Sequence, residues 1–89
     1  MTCYTRVEEA LKKVDGSQYM TDIETIELSK FISKNRENIK SYFYVEDFAD
    51  ESSISCYRAF SILLLAHQAG IFDSRDTDDG VPMFKLFYV

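Results

Sequence analysis

The chain has 89 residues, 46% hydrophobic and 15% aromatic, with a net charge of −5. That length admits one domain with a modest core and excludes a second, and the composition is far from that of a disordered chain. The longest apolar run falls well short of the roughly 20 residues that cross a bilayer, and charge interrupts the first apolar turn, unlike a secretory signal.

The expected location is therefore cytoplasmic, with no membrane contact and with Cys3 and Cys56 as free thiols. Charge is unevenly spread. Residues 1–40 hold seven acids and seven bases, residues 41–80 hold eight acids against Arg58 and Arg75, and the last nine add Lys85. The excess sits in the middle of the chain.

Thr5 stands three residues before Glu8, and Val7, Ala10, Leu11 and Val14 recur at helical spacing up to Asp15 and Gly16. A capping box, an apolar stripe and a glycine stop predict a short amphipathic helix over Thr5 to Val14, within an N-terminal extension of residues 1–20. Alone it is marginal, so its stripe needs something to dock on.

The capping-box pattern returns at Thr21 and Glu24. Leu28, Phe31, Ile32 and Ile39 carry one face to about Asn38 or Ile39, which predicts a second, longer helix. Its outer side bears Lys30, Lys34, Arg36 and Lys40. Such a cluster is either a solvated face close to a helix C-terminus or a contact for phosphate or an acidic partner.

Tyr42 to Val45 suits a small strand. Glu46 to Glu51 reads as a brief helix with acids in its first turn, Phe48 and Ala49 pointing inward, and Ser52 and Ser53 ending it and capping the next. A helix-length stretch from Ile54 to Gly70 follows, apolar from Ala59 to Ala66 except for Ser61. Its exposed N-terminal positions are expected to be Ser52, Ser53, Ser55, Cys56 and Arg58, with Ile54, Ala59, Leu63 and Ala66 on the core face. Ile62, Leu64 and Leu65 point where a simple three-helix core leaves a side chain wet. Either the N-terminal helix covers them or a second copy of the chain does.

Ile71 and Phe72 begin a strand, Asp79 and Gly80 favour a turn, and Val81 to Val89 returns with Pro82 near its start. Met83, Phe84, Leu86 and Phe87 make that return strand apolar on both sides. It is either central in its sheet or an edge available to a partner, and Phe87 joins Ile62, Leu64 and Leu65 as a packing or dimer candidate. The order of elements predicts an α+β domain over residues 21–89: a winged helix-turn-helix, with a three-helix core and a C-terminal β-hairpin wing.

Within the winged-helix superfamily, the spacing of Tyr57, Ala59, Leu63, Leu64, Leu65 and Gly70 resembles the small fimbrial phase-variation regulators of the PapI and FaeA group, over residues 23–89. The resemblance implies action at promoters together with a larger DNA-binding protein. It implies that Ser55, Cys56 and Arg58 face the major groove and that Arg75 is the wing contact.

Charge departs from that pattern. DNA affinity rests on neutralising phosphates with Lys and Arg. Here the helix-turn-helix and wing present Glu46, Asp47, Asp50, Glu51, Asp73, Asp76, Asp78 and Asp79, a face expected to repel a duplex unless a dimer brings Lys30, Lys34, Arg36 and Lys40 to the phosphates. The sequence thus favours a non-enzymatic regulatory protein acting through protein contacts, as a homodimer or on a larger partner with a basic surface. A DNA-binding transcription regulator using Ser55, Cys56, Arg58 and Arg75 is the alternative, and an inhibitor imitating the charge of DNA is a further one.

Catalysis is not expected. Cys56 and His67 stand eleven residues apart on one helix, about 16 Å at a rise of roughly 1.5 Å per residue, so they cannot share a proton. Asp76, Asp78 and Asp79 lack the spacing and closing glutamate of a calcium loop. No zinc spacing, phosphate-cradling glycine loop or other cofactor signature occurs, so the expectation is no metal and no cofactor.

Overall fold

The computed structural model describes residues 20–87. The helix expected at Thr5 to Val14, Cys3, and the last two residues of the return strand lie outside them. The described chain is α+β, with three helices and a three-stranded antiparallel sheet, an arrangement compatible with a winged helix.

Helix α1 is Asp22–Lys34. Its capping box is formed at both ends: the Glu24 N–H donates to the Thr21 hydroxyl at 3.1 Å and the Thr21 N–H donates to the Glu24 carboxylate at 2.9 Å. The helix stops at Lys34, short of the expected Asn38 or Ile39. The Asn35 side-chain amide donates to the Phe31 carbonyl at 3.1 Å, competing with helical continuation, and the chain turns through a 3-10 segment, Asn38–Lys40. That turn still buries Ile39, which is why the apolar spacing runs past the helix end.

Strand β1 is only Phe43–Tyr44, because Val45 opens helix α2, Val45–Ser52. Asp47 sets this start by accepting the Tyr44 N–H at 2.9 Å. Ser53 follows with φ 56 and ψ 40, a left-handed residue that reverses the chain. Helix α3, Cys56–Gln68, is therefore capped by Ser55 rather than by Ser52 or Ser53; the Ser55 hydroxyl accepts the Arg58 N–H at 3.2 Å. At its far end Gly70, with φ 81, lets the Gly70 N–H reach the His67 carbonyl and the Ile71 N–H reach the Ala66 carbonyl, a Schellman ending.

Strands β2, Phe72–Asp76, and β3, Pro82–Leu86, form a hairpin, and the order β1-β3-β2 makes β3 central. The two-sided apolar character of the return strand thus reflects a central position, not a free edge. Gly80, at φ 83, closes the turn with its N–H on the Thr77 carbonyl.

The core gathers Leu28, Phe31 and Ile32 of α1, Phe48 and Ala49 of α2, and Phe72, Phe84 and Leu86 of the hairpin around α3. Phe43 joins the layers, its ring 5.2 Å from that of Phe31 and 5.5 Å from that of Phe72. On α3 the buried positions are Ala59, Ile62, Leu63 and Ala66, the i, i+3, i+4, i+7 pattern of an amphipathic helix. Ile62 is fully buried and Leu65 is half-buried against the core, whereas Leu64 is exposed; the N-terminal helix expected to cover them lies outside the described residues.

Candidate functional site

Helix α3 and the hairpin lie side by side. Nδ1–H of His67, near the C-terminal end of α3, donates to the Phe72 carbonyl at 2.9 Å, and the Phe60 ring lies 6.4 Å from that of Phe84. Phe84 pairs with Ser74, two residues further along β2 than Phe72. Over these contacts β2 thus runs antiparallel to α3. Asp76 shares the strand face of Phe72 and Ser74.

The outward face of α3 carries Tyr57, Phe60 and Leu64, at i, i+3 and i+7. They remain 80%, 36% and 36% exposed. Cys56 is a free, exposed thiol beside them, and His67 and Gln68 end the row. No lysine or arginine belongs to this face.

Arg58, expected to point at a DNA groove, is turned inward against α1. Its Nε and Nη2 donate to the two oxygens of Glu24 at 2.8 and 2.6 Å, a bidentate fork between the first turns of the two helices. The hydrogen bond from Arg58 holds the Glu24 carboxyl below its usual range, and the same bond pushes Arg58 higher. The capping box of α1 explains the geometry: Glu24 reaches back to Thr21 and thereby faces α3.

The acids divide into two groups. Asp47 caps α2. Glu51 accepts from the Asn35 amide at 2.7 Å and stands 3.7 Å from Lys34. Asp73 accepts the Tyr42 hydroxyl at 2.7 Å, which lowers its carboxyl and raises the Tyr42 phenol, while Lys85 lies over the Tyr42 ring at 5.0 Å. These three serve the fold. Glu46 and Asp50 on α2, and Asp76, Asp78 and Asp79 at the wing tip, are exposed and have no ion-pair partner among the described residues.

The expected basic cluster is largely self-paired. Lys30 lies 3.6 Å from Glu27 and Lys40 3.2 Å from Glu37, exposed pairs of small energetic consequence, and Arg36 is exposed. Arg75 is exposed on the outer face of the sheet, paired across the strands with Met83, and Phe87 is exposed beyond the end of β3. A hollow of about 450 Å3 between α1, β1 and α2 is lined by Asn35, Tyr42, Tyr44, Asp47 and Glu51. Both of its carboxylates are already engaged in capping or hydrogen bonding. Among the described residues no group of three or more His, Cys, Asp or Glu side chains is placed to hold a metal ion, and no helix is long and apolar enough to cross a membrane.

Sequence reasoning missed the Glu24 to Arg58 fork and the Tyr57, Phe60, Leu64 row. The row was visible as helical spacing; the fork, between residues 34 apart, had no local signal. No family model matches the chain, and neither the curated proteins nor the solved structures give a match.

Proposed function

We propose that residues 21–89 form a winged helix-turn-helix used in the cytoplasm as a non-enzymatic regulatory module, and that it works through protein contacts rather than by reading DNA. The observation that carries this reading is the outward face of α3. The helix that would enter a major groove displays Tyr57, Phe60 and Leu64, and its one arginine is bound to Glu24. Exposed carboxylates at Asp76, Asp78 and Asp79 gather at the hairpin tip, so the partner presents a basic surface. An exposed aromatic and aliphatic row is what protein interfaces use at their centres, and a depleted cation count is what DNA interfaces avoid.

The competing reading is a DNA-binding transcription regulator, favoured by the succession of α2, α3 and hairpin. It leaves phosphate contacts to Arg75 and to Lys30, Lys34, Arg36 and Lys40, three of which already face carboxylates. The test is quantitative capture with the wild-type protein and with the Asp76→Asn, Asp78→Asn, Asp79→Asn triple variant, after nuclease treatment. Partners retained by the wild type and lost by the variant support the reading. Partners that vanish with nuclease, or that the variant retains equally, refute it.

A further inference from the structure

The open edge of the sheet is a contact surface separate from the outward face of α3. We infer that strand β2 pairs antiparallel with β2 of a second copy of the chain, Ser74 opposite Ser74, so that Asp73 of each copy meets Arg75 of the other.

The hydrogen-bond phase of the hairpin shows which backbone groups are on offer. In an antiparallel ladder alternate residues turn their N–H and C=O toward one neighbour, and the residues between them turn theirs away. The Phe87 N–H donates to the Ile71 carbonyl and the Thr77 N–H donates to the Val81 carbonyl, both at 2.9 Å. Residues 71 and 77 thus face β3, and so do Asp73 and Arg75, which lie opposite Lys85 and Met83. Phe72, Ser74 and Asp76 therefore present their backbone groups on the other side, where β2 is the edge of the sheet. His67 agrees with this phase, since its Nδ1–H reaches the Phe72 carbonyl. Among the described residues no backbone group pairs with Ser74 or Asp76 on that edge, and the Ser74 N–H interacts with the carboxylate of the adjacent Asp73.

Charge then selects the register. A twofold pairing centred on Asp73, Arg75 or Asp76 sets that residue against its own charge, which is unfavourable directly across a ladder. One centred on Phe72 meets His67 of both copies at the dyad. Centred on Ser74, the two serines exchange a pair of N–H to C=O bonds through groups that already point outward. Asp73 and Arg75, two residues apart and so on the same strand face, then form two cross-strand pairs of opposite charge. Arg75 is exposed and has no ion pair among the described residues, and the Tyr42 hydroxyl holds Asp73 in place at 2.7 Å.

The same register keeps the acidic tips apart. Asp76 lies two residues from the dyad, so its two copies stand about 13 Å apart at roughly 3.3 Å per residue, beyond the screening length of about 8 Å at physiological salt. Each Asp76 is instead opposite Phe72 of the other copy, whose carbonyl carries the His67 imidazole. Charges on an edge strand commonly guard it against pairing. On β2 they are of opposite sign, at a spacing that complements itself. A foreign strand needs the same alternation in reverse, which a second copy supplies by symmetry. The opposite edge, β1, is only two residues long and offers no comparable ladder. A five-residue strand makes a small contact, so the dimer is weak and depends on concentration.

The experiment is sedimentation equilibrium of the full chain over a wide range of concentration. The wild type is expected to form a dimer. Arg75→Asp, at an exposed residue, should weaken that dimer about tenfold or more, because two cross-strand attractions become repulsions. Asp73→Lys should do the same, and a mixture of the two variants should recover association to within a fewfold of the wild type, since the mixed pair restores opposite charge at both positions. Ser74→Pro removes an outward N–H without removing a bond to β3, and should abolish association. Circular dichroism checks that each variant is folded. Arg75→Asp decides the matter if loss of the Tyr42 bond unfolds Asp73→Lys.

A wild type that stays monomeric throughout overturns the inference. So does a dimer that Arg75→Asp leaves at full strength, which would place self-association elsewhere, or folded single variants that fail to recover on mixing. The protein-contact reading rests on α3 and the hairpin tip and survives each of these results.

Discussion

Replacing Ile62 by alanine tests which side of α3 faces the core, because the neighbouring outward face depends on it. Ile62 is fully buried, whereas Tyr57 on the same helix is 80% exposed. The substitution deletes three buried carbon groups, worth about 0.8 kcal/mol each, or about 2.4 kcal/mol of transfer free energy. The cavity left behind brings the expected loss to about 3 kcal/mol, inside the usual range for Ile to Ala in a core. In a domain this small each kcal/mol moves the midpoint by about 4–8 °C, so thermal unfolding followed by circular dichroism should shift down by about 12–24 °C. Tyr57→Ala should stay within about 0.5 kcal/mol, a shift under about 4 °C. Equal and small shifts for both variants would mean that Ile62 lies outside the core, and the interaction face drawn on α3 would fall with it.

Gly70→Ala should cost about 1 kcal/mol, seen as a lower urea midpoint, because the left-handed φ of 81 strains any Cβ although the site itself is open. An unchanged midpoint would contradict the Schellman ending. The depressed Glu24 carboxyl contributes stability that is present above its usual value near 4.5 and is lost as pH falls through the lower folded value. Glu24→Gln should therefore lose less stability than the wild type between about pH 6 and pH 3, and parallel acid curves would count against the Arg58 fork. Tyr42→Phe should let the Asp73 carboxyl return toward its ordinary range in an NMR titration, since the phenol is the main group holding it down. No movement of Asp73 would show that another group sets it.

The sequence made the order of elements legible because each carries a local signal. Thr21 and Glu24 announce α1, Gly70 ends α3, and Gly80 closes the hairpin. Boundaries slipped where a side chain competes with the backbone, at Asn35, or where a non-glycine residue takes a left-handed turn, at Ser53. The apolar block from Ile62 to Leu65 fills several directions of the helix, and of these Ile62 and Leu63 are core while Leu64 is exposed. Which of them become core depends on packing that helical spacing alone does not encode. The acids were legible as a net excess, but not their division: Asp47, Glu51 and Asp73 serve the fold through partners that the sequence does not place beside them. Arg58 shows the same limit most plainly, since its role depends on Glu24 in another helix.

On the proposed reading, this arrangement of helices and hairpin meets a protein and not a duplex. Fluorescence anisotropy of the protein with mixed-sequence duplex DNA, at about 50 mM and then about 200 mM salt, tests it most directly, because phosphate-driven affinity collapses over that range. No binding is expected at either concentration. Binding at low salt that falls steeply by the higher one would contradict it, and would show that the lysines of α1 with Arg75 override the acidic wing.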